Sequence, residues 1–345
     1  MDRPAGLTFP FEDVPAEGEA LEVAPGVLWM RLPLPWILDH VNVYALADDD
    51  GWTLVDTGLY SKRGVAVWER LLAGALRGRP VRRVILTHHH PDHVGMAGWL
   101  AQQGAEIIAT RTAWLMARML VLDQQDVPTP ETLAFYRTAG MDPDIYAERA
   151  TSRPMNFSDF VHPIPLGFRA ISEGTTVTVG GRDWIVHLGN GHAPDHATLW
   201  STDGTLVLAG DQILPGISPN LGVYATEPAA DTVGDWLESC TRLAGYASDT
   251  QLLLPGHKRP FTGVPQRLEQ LIDNHHSALA RLREHLAKPR TAHDCFAPLY
   301  MRTIGAGEYG LALAEAVGHL NHLLALGQVT REIGPDGAWL WNATF

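Results

Sequence analysis

Five times along this chain a short apolar run ends on a histidine or an aspartate. Asp56 closes Trp52 to Val55, and His88 with its neighbours follows Val81 to Leu86. His192 follows Trp184 to Leu188 through Gly189-Asn190-Gly191, Asp211 closes Leu206 to Gly210, and His257 closes Leu252 to Gly256. Loops at strand ends are aimed by the rigid sheet beneath them, so this repetition points to a sheet-built fold with its polar functional residues where strands run out. The densest of the five is His88-His89-His90-Pro91-Asp92-His93. Neutral imidazole and carboxylate are ligands for zinc, iron and manganese, and the spacing His-x-His-x-Asp-His lets one loop feed two neighbouring ions.

Pattern along the chain gives the order of elements. Gly26 to Leu32, Val41 to Leu46 and Trp52 to Val55 have strand character and suggest an antiparallel sheet. A helix over Lys62 to Leu76, the strand Val81 to Leu86, a helix over Asp92 to Gln103 and the strand Glu106 to Ala109 then form an α/β layer. From Arg111 to Phe168 the character changes to an insert, with helices expected at Thr112 to Leu122 and Pro130 to Thr138 and an irregular, proline-rich passage after them. Its aromatic residues, Trp114 and Tyr136 among them, make it a candidate lid over an apolar substrate pocket. Strands resume at Thr175 to Val179 and Trp184 to Leu188, and Asp203-Gly204 between two apolar runs predicts a hairpin. After about Pro265 the chain is mainly helical and closes on two short strands, which suggests a winged-helix-like appendage. The expected division is a catalytic domain over 1–264, carrying the insert 111–168, and a second domain over 265–345.

The formal net charge of −13 repels polyanions and weighs against nucleic acid as substrate. Cys240 and Cys295 stand far apart in no CxxC spacing, so neither a disulfide framework nor a thiolate metal site is expected. No apolar run has the length of a membrane span. Met1 to Pro15 shows no basic patch leading into an apolar segment, and a cytoplasmic location is the default expectation.

The segments Leu54-Val55-Asp56-Thr57-Gly58, Thr87 to His93, Gly191-His192, Gly210-Asp211 and Pro255-Gly256-His257 occur in the order found in metallo-β-lactamase superfamily hydrolases. The chain resembles that family from about Gly26 to Phe261, which implies an αββα sandwich. The resemblance implies one metal held by His88, His90 and His192, a second by Asp92, His93 and His257, and Asp211 between them. Asp56 corresponds to a residue that supports the metal loop. His89 falls at a variable position and is expected to be exposed or behind the ligands. Two divalent ions, zinc first with iron and manganese fitting the same ligands, would lower the pKa of a shared water and polarise a scissile carbonyl or phosphoryl group.

Within that family several readings stay open. A bridging aspartate departs from the ligand set of true β-lactamases, and Leu214 stands where quorum-signal lactonases carry a tyrosine. His192-Ala193-Pro194-Asp195-His196 resembles glyoxalase II, which makes His196 a candidate to orient substrate or protonate a leaving group. The C-terminal part resembles instead that of the beta-lactamase-like endoribonucleases, yet the helix Glu308 to Leu326 holds no Lys or Arg to read a phosphate backbone. Its Leu313, Val317, Leu320 and Leu324 suggest a face packed on the core or on a second subunit of a homodimer. Lys258 and Arg259 are candidates to clamp an anionic substrate group. The expected activity is hydrolysis of a small thioester or ester with an apolar acyl part, with Asp92, His196 and Asp56 as candidate catalytic groups. Endoribonuclease, phosphodiesterase and lactonase activity are the enzyme alternatives, and a metal-containing effector acting through partner contacts is the alternative of another class.

Overall fold

The computed structural model describes residues 5–344, which fall into two compact units. The first comprises residues up to Gln124, then Asn156–Pro219 and Leu243–Leu268; the second comprises Gln125–Met155, Asn220–Arg242 and Glu269 onward.

The first unit holds two sheets. One has seven strands in sequence order: β1 (Ala20–Ala24), β2 (Val27–Pro33), β3 (His40–Asp48), β4 (Gly51–Val55), β5 (Val81–Ile85), β6 (Glu106–Thr110) and β7 (Arg169–Ile171). Neighbours from β1 to β4 are antiparallel, as expected, and those from β4 to β7 are parallel. The second sheet is made from β8 (Thr176–Val179), β9 (Arg182–Gly189), β10 (His196–Ser201), β11 (Leu206–Gly210) and β12 (Leu252–Pro255), ordered β12-β11-β10-β9-β8. The Asp203-Gly204 turn joins β10 to β11 in the predicted hairpin, while β11 and β12 run parallel.

Alternation along each strand builds two cores. Val41, Val43 and Ala45 of β3 face helices α1 (Lys62–Ala73), α2 (Pro91–Val94), α3 (Ala97–Gln102) and α4 (Arg111–Leu122), packing with Val67, Trp68, Leu71, Val94, Leu100 and Trp114. Tyr44 and Leu46 face the other way, into an inter-sheet core with Trp29, Ile85, Trp184, Val186, Leu199 and Leu254. The single helix expected over Asp92 to Gln103 is broken into α2 and α3. The Met96 N–H turns away from its own helix to Thr57 Oγ1 (3.0 Å) and Gly58 O (3.0 Å), so the ladder is interrupted where the chain docks against the β4 loop.

The expected insert 111–168 is not one body. Its first helix, α4, and the returning Phe157, Phe160 and Phe168 pack in the first unit, whereas residues 125–155 belong to the second. That middle part contains α5 (Pro130–Thr138) and α6 (Pro143–Thr151). The latter replaces the expected irregular passage, because Asp142 caps the N–H groups of Asp144 and Ile145 and Pro143 takes the first helical position.

The second unit continues with α7 (Thr232–Ala244), α8 (Val264–His285), most of which lies here, α9 (Phe296–Tyr300) and α10 (Tyr309–Ala325). An antiparallel pair, β13 (Val329–Ile333) and β14 (Trp339–Ala343), completes it. The Tyr309 hydroxyl ties the two ends together by accepting from the Asp142 N–H (2.8 Å). On α10, Leu313, Val317 and Leu320 are buried within the chain, so that stripe is core and leaves a dimer interface without support from it.

Candidate metal centre

All five polar strand ends meet at one edge of the sandwich in the first unit. β4 and β5 deliver Asp56 and the run His88 to His93; β9, β11 and β12 deliver His192, Asp211 and His257. His88, His90 and His192 form one donor trio, Asp92, His93 and His257 a second, and His88, His93 and Asp211 a third overlapping set, each with its donor atoms within 4.8 Å of one another. His88 Nε2 lies 2.9 Å from His90 Nδ1, which lies 3.0 Å from His192 Nε2. Asp211 stands between the trios. Its Oδ2 is 3.5 Å from His192 Nε2 and 3.2 Å from His257 Nε2, and its Oδ1 is 3.4 Å from His93 Nε2. Asp92 Oδ2 completes the second group, 3.3 Å from His257 Nε2 and 3.7 Å from His93 Nε2.

These separations match donors that share an ion, since two ligands at ~2.0–2.1 Å from a tetrahedral zinc stand ~3.3 Å apart. Ring tautomers agree. The Nδ1–H of His93 donates to Asp56 Oδ2 (2.7 Å) and that of His257 to the His40 carbonyl (2.8 Å). Thr87 Oγ1 donates to Asp56 and accepts from His88 Nδ1 (3.0 Å). Three Nε2 lone pairs are thereby turned inward, the arrangement by which outer hydrogen bonds orient metal-bound imidazoles. His93 Nε2 and Asp211 Oδ1 are buried and face each other at 3.4 Å without a well-formed hydrogen bond, a cost that coordination removes. The residues fit two divalent ions.

Electrostatics point the same way. Burial, reinforced by neighbouring imidazoles, holds His88 and His90 well below the ordinary histidine value, so they are neutral, as ligands must be. At His93 and His257 burial also pulls downward and is the largest single influence, but nearby carboxylates outweigh it. Asp211, Asp92 and Asp56 raise His93 well above its ordinary value, and Asp211 and Asp92 raise His257 to about 10. Burial pushes Asp211 up, yet His257 and His93 hold it well below the usual carboxylate range. A cavity whose carboxylates retain positive charge this strongly attracts cations for the same reason.

The surroundings reassign several residues. Asp56 is buried with φ 63° and bonded to Thr87 and His93, so it braces the loop that carries the histidines. The His196 ring is held within the framework of the site. It is fully buried, its ring stacks on His88 at 4.6 Å, and its Nε2 accepts the Asp211 N–H (3.1 Å). His89 is buried rather than exposed, 4.7 Å from the His90 ring. Trp114 is buried in the core and stacked on Phe168 at 5.1 Å. Tyr136 belongs to the second unit, where Arg149 lies over its ring.

Lys258 and Arg259 follow His257 and are half-buried. Lys258, at φ 71°, contributes backbone: its carbonyl accepts from Asn42 Nδ2 (3.0 Å) and Arg31 (3.2 Å), and its N–H donates to His40 Nε2 (3.2 Å). Sequence reading missed the groups that hold this loop. Asn42 Nδ2 and Tyr44 OH both donate to the Pro255 carbonyl, at 2.8 and 2.9 Å, and Trp29 Nε1 donates to Asn42 Oδ1 (2.8 Å). Thr57 Oγ1 donates to the His93 carbonyl (2.7 Å), and Thr112 with Thr110 holds Asp195 in the loop that carries His192.

A fold of paired sheets with a histidine- and aspartate-lined edge defines a class, and the chain belongs to the metallo-beta-lactamase superfamily, whose family model matches residues 36–257. A second model, the metallo-beta-lactamase-like C-terminal domain, matches residues 279–344. A beta-lactamase domain protein from Burkholderia ambifaria is 34% identical, with 98% of each chain covered and a TM-score of 0.90. A metallo-beta-lactamase family protein from Thermus thermophilus is 27% identical over 94% of this chain and 100% of that one, with a TM-score of 0.78. The probable metallo-hydrolase YqjP of Bacillus subtilis is 27% identical over 315 residues, 88% of this chain and 94% of its own length.

Proposed function

We propose that this protein is a dinuclear metal-dependent hydrolase of small thioesters or esters with an apolar acyl part. The observation that carries the reading is the Asp211 carboxylate between two histidine-rich trios, one oxygen within 3.5 Å of a histidine from each. Two divalent ions bound there, zinc being our choice for an all His/Asp set, supply a water of lowered pKa and a Lewis acid for the scissile carbonyl. Asp92, at 14% the more exposed of the two cluster carboxylates, is the chain's own group placed to hold the proton released during attack. Trp36 and Ile37 support an apolar acyl group. They are 40% and 87% exposed on the loop that leads to His40, whose carbonyl orients His257. Arg31 of β2, bonded to the Lys258 carbonyl, and the adjacent Lys258 and Arg259 favour a substrate with an anionic leaving part. The −13 net charge disfavours RNA, and the matched relative's description as a probable metallo-hydrolase agrees with hydrolysis.

The test compares acyl-thioesters of increasing chain length with single-stranded RNA at equal metal loading. Thioester turnover that rises with acyl length, and is lost with bound metal in Asp211→Ala and His88→Ala, is the expected result. Cleavage of RNA with thioesters untouched would replace this reading by the endoribonuclease one. Full metal content and turnover in Asp211→Ala would remove the site assignment.

A further inference from the structure

The second unit contains a cluster that the hydrolytic centre does not use. His275 of α8 and Glu315 and His319 of α10 bring three donor atoms within 4.8 Å of one another. Glu315 and His319 are four residues apart and share a helix face. The His275 and His319 rings are parallel, 8° apart in plane with centroids at 5.6 Å, and both residues are buried. We propose that these three side chains form a separate metal site of the His2Glu type, suited to zinc.

Each donor is braced from behind in the manner of a ligand. His275 Nδ1 bonds to the Leu271 carbonyl (2.8 Å) and His319 Nδ1 to the Glu315 carbonyl (2.9 Å). Such bonds put the ring proton on Nδ1 and make Nε2 the coordinating nitrogen of both rings. Glu315 Oε2 accepts from Asn220 Nδ2 (3.1 Å) and faces the Tyr300 hydroxyl (3.4 Å), so the carboxylate is oriented too. Two imidazoles and one carboxylate exclude calcium and magnesium, which take oxygen ligands, and match the three-protein-ligand zinc set with a fourth position for water.

A divalent cation held there would use the neutral form of both rings and the carboxylate form of Glu315.

Metal analysis of the full-length protein tests this. The chelated chain is reloaded with Zn2+ alone, and in parallel with Co2+, and the ions bound per chain are counted after removal of excess. Three per chain are expected for the natural protein and two for His319→Gln and Glu315→Gln, with hydrolytic turnover unchanged in both variants. In a His88→Ala/Asp211→Ala background one Co2+ should remain, with the visible absorption of tetrahedral cobalt. Saturation of the natural protein at two ions, or the same count in both variants as in the natural protein, overturns the proposal. Neither outcome depends on which substrate the first unit hydrolyses.

Discussion

Replacing Asp56 by Asn isolates the outer hydrogen bonds of the centre from its ligands. Asp56 accepts the Thr87 N–H at Oδ1 (2.8 Å) and the His93 Nδ1–H at Oδ2 (2.7 Å), with the Thr87 hydroxyl reaching both oxygens. An asparagine has one oxygen for these two positions. Whichever way its amide turns, an NH2 faces either the Thr87 N–H or the His93 N–H, donor against donor, in a site 2% exposed. Leaving one buried donor unsatisfied costs about 1–3 kcal/mol of stability. The effect on metal is separate, because His93 loses the bond that fixes its tautomer. Loss of such a partner weakens affinity by roughly 10–100-fold, or about 1.4–2.8 kcal/mol. Chelator competition should therefore show weaker binding of one ion, the one taken by Asp92, His93 and His257, while the His88, His90 and His192 trio is affected less. Turnover should recover at saturating metal, since no ligand is removed. Wild-type affinity for both ions in Asp56→Asn would refute the reasoning, because it would mean that His93 orientation does not depend on the carboxylate.

Three other substitutions probe the framework. Gly210 has φ 48°, and a Cβ there would stand 2.7 Å from His196 Cε1 and 2.8 Å from Thr87 Oγ1. Gly210→Ala should lower stability by roughly 2–5 kcal/mol, the sum of overpacking and left-handed backbone strain, and reduce metal content with it; calorimetry of the chelated protein separates the two effects. Trp114→Ala should cost about 3–5 kcal/mol in denaturant unfolding through the cavity it leaves, with KM unchanged. A raised KM at unchanged stability would return Trp114 to the substrate pocket. Tyr44→Phe removes the hydroxyl bonded to Pro255 and should cost about 1 kcal/mol. Tighter metal binding in that variant would contradict the role given to the β3 strand.

The ligands are legible because donor chemistry and strand-end position coincide in the sequence: a histidine or aspartate after an apolar run is visible without knowing which strands pair. The bracing residues have no such mark. Asn42 and Tyr44 read as polar positions of an alternating strand, and only the closure of β3 over the end of β12 turns that face inward and gives both side chains the Pro255 carbonyl. His196 shows how register decides what a motif residue touches. Its place in a histidine-rich loop suggests contact with substrate, but it is the first residue of β10, paired with Gly189, and register sends its ring under His88 toward the Asp211 backbone. The α4 helix is ambiguous for a third reason: it is apolar around most of its circumference. Ala113, Trp114, Ala117 and Val121 form the buried stripe, while Leu115, Met119 and Leu122 are exposed. Periodicity identifies such a helix but does not say which stripe the core takes, so an aromatic residue near a motif carries no information about pocket or core until the packing is known. The same limit applies to α10, where Glu315 and His319 look like polar interruptions of an apolar stripe. Their meaning depends on His275, 40 residues before Glu315 in sequence, and no local pattern connects the two helices.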